Sequence, residues 1–388
     1  MKIDPNEYAV TFIADLHVDN FARWGGPLRG GINDRGRAVL AAITEAVAAS
    51  ANSTREPVLV ILGDIFNRSA PEPALIAAVQ SVLAQHPRVY VLVGNHDQES
   101  SDFGHNACAP LDAVDSVTVV EDPIAVTPYG PEHFELLLVP FRPGPIMEWL
   151  PRLLDTGANF PPEGPRALCL HAGISDSATP YYLDDTSGSI AVDALARLCA
   201  KHRISHVFAG DWHRHQRWRK VVDGHRVTIM QVGALAPNRF PPNYEHGDKG
   251  PCAVWLPASG KVEVVDIPGP RFYKHRWSSL DKEWTPNTNA VPAFVKLTAR
   301  SDQADEAKEW LEALRVRAAL LDNGQPSLAG TELEIDRGAE RAKARTASFE
   351  ARQASSIDEA VARYVKAMPL EEGVDRDAVL DHVRRLMT

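Results

Sequence analysis

The stretch "AVTFIADLHVD", residues 9–19, joins a short uninterrupted apolar run to Asp15 and His17. Six apolar or small residues without alternation suit a strand buried on both faces. Residues two apart on extended backbone face the same way, so Asp15 and His17 can address one ion while Leu16 turns to the core. The same junction recurs four times. "VLVILGDIF" (58–66) ends on Asp64, and "RVYVLVGNHDQ" (88–98) ends on Asn95, His96 and Asp97. "RALCLHAG" (166–173) ends on His171, and "SHVFAGDWHRHQ" (205–216) ends on Asp211, His213 and His215. Singly these are weak signals, since a D-x-H is often a surface loop and a G-D after a strand is often only a turn. Five successive strand ends carrying Asp, Asn or His together make a metal-binding pattern.

Helical patterns separate the runs, as in "GRAVLAAITEAVAAS" (36–50) and "PALIAAVQSVLAQH" (73–86). Strands alternating with helices indicate an α/β architecture with helices covering a sheet. In such sheets the carboxyl ends of the strands form the ligand crevice, so the five loops are expected to converge. A later block, 225–233, 252–257 and 260–267, has strands without intervening helices and is expected to close the sheet with antiparallel pairs. This places a first domain at residues 1–270. Residues 271–388 then form a small α+β cap, with strands at 293–299 and 331–337 and a helix from about Asp302 to Leu314, followed by two C-terminal helices. The first of these, 355–368, opens on a Ser356/Glu359 capping box and sets Ile357, Val361, Val365 and Met368 on one stripe. The second, 377–387, repeats the stripe with Val379, Val383 and Leu386.

The chain of 388 residues is 44% apolar and 24% charged, within the range of globular proteins. Its first residues lack a basic segment followed by a long apolar one, and no run of about 18 apolar residues occurs, so a cytoplasmic location and no membrane partner are expected. Cys108, Cys169, Cys199 and Cys252 form no C-x-x-C pair and read as small core residues. The net charge of -10 argues against indiscriminate adhesion to nucleic acid, yet "HRHQRWRK" (213–220) is basic and carries a tryptophan. There is no G-x-x-x-x-G-K-[ST] motif, so any ATP hydrolysis belongs to another chain.

These motifs resemble the calcineurin-like metallophosphoesterase superfamily, whose pattern runs D-x-H, G-D, G-N-H-D/E, H, G-H-x-H. Within it the chain looks most like the SbcD-type DNA double-strand-break-repair exonucleases, through "GDIFNRSAPEP" (63–73) and "GDWHRHQ" (210–216). The resemblance implies a sandwich of two mixed β-sheets flanked by helices and a pair of divalent cations. Manganese is the preferred ion, with magnesium, iron(II) or zinc as alternatives. One cation would be held by Asp15, His17, Asp64 and His213 and the other by Asp64, Asn95, His171 and Asp211, with the Asp64 carboxylate offsetting the repulsion between them. Asp211 stands where the family has a histidine, and an added carboxylate makes that position harder. The alternative register pairs His213 with His215 and leaves Asp211 behind them. His96 would be the general acid or phosphate stabiliser, oriented by Asp97.

The metals and fold do not by themselves select a substrate. Trp212, Arg214, His215, Arg217 and Trp218, continuing into Arg219 and Lys220, combine stacking planes with cations beside the proposed centre, which suits DNA. Arg68 stands where phosphoprotein phosphatases also carry an arginine. Trp24, in "RWGGPLRGG" (23–31), is either a further stacking plane or a packed core residue. The implied partners are DNA and, through the C-terminal helices, a coiled-coil ATPase of the SMC type, with a homodimer as a further expected state. Two other readings stand beside this one. They are a phosphatase or small-nucleotide phosphodiesterase that does not act on DNA, and a noncatalytic scaffold.

Overall fold

A computed structural model describes residues 8–51, 57–99, 105–130, 133–156, 164–176, 189–240, 250–286, 290–321, 328–336, 365 and 375–387. Two six-stranded sheets dominate it. The first contains β1 (Val10–Ile13), β2 (Val58–Ile61), β3 (Val89–Leu92) and β4 (Val117–Val120). The second contains β5 (Ile124–Val126), β6 (Glu135–Val139), β7 (Arg166–His171), β8 (His206–Gly210), β9 (Gln216–Val222) and β10 (His225–Gln231). The chain then returns to the first sheet with β11 (Pro251–Leu256) and β12 (Lys261–Asp266).

The order in the first sheet is β12-β11-β1-β2-β3-β4, with β1 to β4 mutually parallel and β11 and β12 added antiparallel. The order in the second is β9-β10-β8-β7-β6-β5, four parallel strands bounded by an antiparallel strand at each edge. The expected sandwich of mixed sheets is therefore present. The five motif-bearing strands are shared out, three to one sheet and two to the other. The expectation for 225–231 needs correction: it runs parallel to β8 and pairs antiparallel only with β9.

Strand alternation builds three cores from these two sheets. Val10, Phe12, Val58, Val60 and Leu62 face Leu136, Leu138, Cys169, Phe208 and Met230 between the sheets. At the centre Phe12 stacks on Phe208 with centroids 3.8 Å apart, an aromatic contact that contributes about 0.5–1.5 kcal/mol beyond its burial. The opposite side chains of the first sheet, such as Ile13, Leu59, Ile61 and Val91, pack under α1 (Asp34–Ala51) and α2 (Pro73–Leu83). Leu137, Leu168, Leu170 and Val207 of the second sheet pack under α3 (Ile146–Thr156) and α4 (Val192–Lys201). Because both faces of each central strand are covered, the runs are apolar without alternation, which is why they are legible as buried strands. All four cysteines are free and buried, as expected.

Beyond residue 268 come β13 (Gly269–Arg276), β14 (Ala290–Ala299), α5 (Ala304–Leu321), β15 (Leu328–Ile335) and α6 (Arg376–Met387). The three strands form one sheet in the order β13-β14-β15. Two compact units result, Met1–His275 with Asp281–Lys296 and Ala313–Thr331, and Arg276–Leu280 with Leu297–Glu312 and Glu332–Thr388. The expected helix at 355–368, apart from the buried helical Val365, and its Ser356/Glu359 capping box lie outside the described residues. No helix among the described residues is long and apolar enough to cross a membrane.

Two buried histidines away from the strand ends set an acid limit on this fold. His86 accepts the Arg88 N–H at Nδ1 (3.2 Å) and faces Ser50 Oγ from Nε2 (3.0 Å), and burial lowers its pKa to about 4. His206, against Ser205 and the Gly260 carbonyl, is likewise lowered by burial to about 4. Below the unfolded value near 6.5 the unfolded chain takes protons that the folded one refuses, so stability is whole above pH 6.5 and is lost as pH falls toward 4. Urea unfolding at pH 7.5 and 4.5 is expected to show this loss, and His86→Gln is expected to make it smaller. An equal loss in the variant would remove His86 from the explanation.

Candidate metal centre

The carboxyl ends of β1, β2, β3, β7 and β8 meet at one edge of the sandwich. Backbone bonds lock the first two loops together: the Asp15 N–H donates to Gly63 O (3.2 Å), and the Leu16 and His17 N–H groups both reach Asp64 O (2.9 and 3.0 Å). The second sheet is tied on by His171, whose Nδ1–H donates to the Leu62 carbonyl at 2.6 Å. That bond orients the ring so that Nε2 faces the centre. Gly63 permits this approach, since at φ +92° a Cβ there would stand 2.2 Å from His171 Nδ1. At Gly94 a Cβ would stand 2.2 Å from Asp64 Oδ1.

Strain marks the same residues. Asp15, His17, Asp64 and Asp211 have φ of 52°, 47°, 54° and 84°, in the left-handed region that non-glycine residues avoid. Such conformations cost on the order of 1–3 kcal/mol each and persist where the surroundings enforce them. Here they turn side chains off the strand ends and into a common centre.

Ligand-type atoms of Asp15, His17 and His213 lie within 4.8 Å of one another, as do those of Asp15, Asp64 and His171. His17 Nε2 is 2.9 Å from His213 Nε2, hydrogen-bond distance, so the two imidazoles face one another. His171 Nε2 is 2.8 Å from Asn95 Oδ1 and 3.9 Å from an Asp211 oxygen. Asp64 stands between these groups, with Oδ1 3.5 Å from His171 Nε2 and Oδ2 3.9 Å from His17 Nε2. All seven sequence-predicted ligands are thus gathered at one place. Asp211 also donates its N–H to Asp15 Oδ1 (2.9 Å), and His213 O accepts from the Ala234 N–H (2.8 Å). His215 has Nδ1 2.9 Å from the Val232 carbonyl and joins none of these ligand groups.

The electrostatics call for a cation. Asp15 is wholly buried, its Oδ2 has no hydrogen-bond partner among the described residues, and burial raises its pKa well above the carboxylate range. Burial also acts to raise Asp64, but the neighbouring His171, then His17 and His96, hold it well below the ordinary value. Burial, and next His213, lower His17, and burial followed by the positive charge of Arg239 lowers His213 to about 4. The neutral imidazoles of His17 and His213 beside buried carboxylates, with Asp15 Oδ2 unpaired among the described residues, are the donor set of a hard or borderline divalent ion. The residues fit the group.

The remaining expected site residues sit as follows. His96 is exposed, donates its N–H to Asp64 Oδ1 (2.9 Å) and places Nδ1 3.1 Å from the Asn67 carbonyl. Asp97 does not orient it, contrary to expectation. Its buried carboxylate accepts the N–H groups of Phe66 (2.9 Å), Gly94 (2.9 Å) and Ile65 (3.3 Å), and burial, then Asp64, raises its pKa to about 6. The physical reason is the turn itself: three buried donors converge there, and one carboxylate satisfies all of them. Arg68 is bound by Asp19 through both Nε (3.0 Å) and its terminal nitrogen, and by Glu72 at 3.1 Å. The Trp212 indole lies over Gly173, and Arg214 follows in the same loop. Arg217 and Trp218 belong to edge strand β9, where Trp218 packs on the second-sheet core and donates to Asp176 at 2.6 Å, and where Lys220 pairs with Asp193. Trp24 is a packed residue, stacked on Phe294 at 5.4 Å and edge-on to Phe240 at 5.7 Å. Sequence reading missed Asp19, Asn67, Asn238 and Arg239. The one available signal was that 233–240 follows a strand whose carboxyl end reaches the same edge as the motifs.

A layered α/β protein with a strained, buried cluster of carboxylates and imidazoles at its strand ends is one built to hold divalent cations. The family model for calcineurin-like phosphoesterases matches residues 8–215, more than half of the 388, and the chain belongs to that family of metal-dependent hydrolases of phosphate esters. No curated protein sequence matches the chain. Similar solved structures include TT1561 of Thermus thermophilus, at 12% identity and a TM-score of 0.41 over 67% of this chain and 99% of that one. Purple acid phosphatase PPD1 of yellow lupin (Lupinus luteus) gives 12% and 0.40 over 68% and 54%. A putative 5'-nucleotidase of Staphylococcus aureus in complex with alpha-ketoglutarate gives 12% and 0.38 over 68% and 53%.

Proposed function

We propose that this phosphoesterase is a phosphodiester hydrolase that cuts DNA, of the SbcD type, working with two manganese ions and with a coiled-coil ATPase of the SMC type bound through the C-terminal region, residues 271–388. The single observation behind the two-ion reading is the Asp64 carboxylate, one oxygen toward His171 and the other toward His17. Asp15, His17, Asp64 and His213 would hold one cation and Asp64, Asn95, His171 and Asp211 the other. Such cations, when bound, supply charge stabilisation at phosphoryl oxygens and a water whose pKa is lowered toward about 7. Asp211, adding an oxygen donor where the pattern has an imidazole, favours manganese over softer ions. His96, exposed and with Nδ1 against the Asn67 carbonyl, would donate a proton to the leaving oxygen.

DNA is supported by the motif resemblance and by the cationic stretch that begins at Arg214. One observation favours the second reading, a phosphatase or small-nucleotide phosphodiesterase. Trp218, a proposed stacking plane, is spent on packing and on its bond to Asp176. The test is incubation with Mn2+ and either end-labelled linear DNA or bis(p-nitrophenyl) phosphate. Release of nucleotides from the DNA ends is the expected result. Cleavage of the small ester with intact DNA would establish the second reading, and inertness toward both would leave a scaffold.

A further inference from the structure

The loop that follows β10, residues 233–240, closes one side of the centre. Ala234 is fixed to His213 through its N–H (2.8 Å), and Leu235 donates to Ala14 O (2.9 Å). Further along, Asn238 is pinned twice. Its Nδ2 donates to Asn67 Oδ1 at 2.9 Å, and its carbonyl accepts from the buried guanidinium of Arg35 at 2.6 Å. Phe240 is pinned as well, edge-on to Trp24 at 5.7 Å and to Phe272 at 5.2 Å.

Arg239 lies between these two anchors and is exposed. It makes no hydrogen bond or ion pair among the described residues, and it directly follows Asn238, which Asn67 ties to the support of His96. Arg68, the arginine that the motif pattern singles out, is in the opposite condition. It is engaged by Asp19 and Glu72, so its charge is already balanced. A guanidinium on a loop with anchored neighbours, paired with no carboxylate among the described residues, is the arrangement that favours bidentate binding of a phosphate. Asn67 adds registration. Its side chain holds Asn238 and its carbonyl holds His96, so the loop carrying Arg239 and the proton-donating ring share one support. Asp19 in turn holds Asn67 through Nδ2 at 2.9 Å.

We infer that Arg239 is the principal protein cation that grips the substrate phosphate, and that Arg68 serves mainly to brace the Asp19–Asn67 support. The inference rests on the phosphodiester reading above but is testable apart from it, because inorganic phosphate probes the grip without turnover. Calorimetric titration of the Mn2+-loaded protein with phosphate is expected to show binding weakened about tenfold or more in Arg239→Ala, partly restored in Arg239→Lys, with Mn2+ uptake unchanged. Where bis(p-nitrophenyl) phosphate is hydrolysed, the same variant is expected to raise KM by a similar factor. Arg68→Ala is expected to weaken phosphate less than Arg239→Ala does. Phosphate affinity unchanged in Arg239→Ala, or a larger loss in Arg68→Ala, would overturn the assignment. A wild-type protein that binds phosphate but leaves DNA and the small ester intact would instead count against the hydrolase reading and leave the Arg239 comparison readable.

Discussion

Asp64→Ala is expected to take up neither cation tightly and to lose turnover to background. The carboxylate addresses both halves of the cluster, at 3.5 Å from His171 Nε2 and 3.9 Å from His17 Nε2. Two like-charged ions close together need an anion between them, and truncation leaves the buried Asp15 carboxylate to compensate for both. Asp64 Oδ1 also accepts the His96 N–H at 2.9 Å, so the alanine variant strands that donor at a cost of about 1–3 kcal/mol. Asp64→Asn keeps an acceptor for that N–H while removing the charge, and separates the two effects. Calorimetric titration with Mn2+ and thermal melting of both variants supply the measurements. Two ions bound at wild-type affinity in Asp64→Ala would end the bridging role.

His96→Ala is expected to keep both ions and still lose about 10²- to 10⁴-fold in kcat, the usual share of proton transfer. The ring is exposed, so its removal opens no core cavity, and its Nδ1 is held by the Asn67 carbonyl. A His96 nitrogen also lies within 4.8 Å of ligand atoms of His17 and Asp64, which makes the opposite outcome physically concrete. If the variant loses one ion in titration, His96 is a ligand and the proton comes from elsewhere. With the ions retained, a leaving group of low pKa should suffer less than one of high pKa.

The His96 prediction also shows where sequence and structure part. The motif "GNHD" (94–97) placed Asn95, His96 and Asp97 beside the centre, but the roles within it depend on what lies opposite. Asp97 is the next residue after the ring it was expected to orient, yet the buried N–H groups of Ile65, Phe66 and Gly94 claim its oxygens. Similarly "HRHQRWRK" (213–220) read as a basic surface beside the site, whereas its second half is an edge strand. Alternation on that strand turns Trp218 toward the second-sheet core, and no residue count could reveal which way the hairpin faces.

The amino-acid sequence alone determined the buried strands, the helices over them and the ligand-type residues at the strand ends. Each of these is local: an apolar run covered on both faces has no alternation, and the ligand-type residues follow it directly, although it is left-handed turns rather than extended backbone that bring Asp15 and His17 to one centre. Tertiary structure alone decided which strands share a sheet, that 225–231 runs parallel to 206–210, and that Arg68 is bound by carboxylates while Arg239 pairs with none among the described residues. These outcomes depend on pairings between residues far apart in the chain, such as Asn67 with Asn238 and His17 with His213. A hydrogen bond between distant loops is set by how two sheets are brought together, and no short stretch of sequence carries that distance.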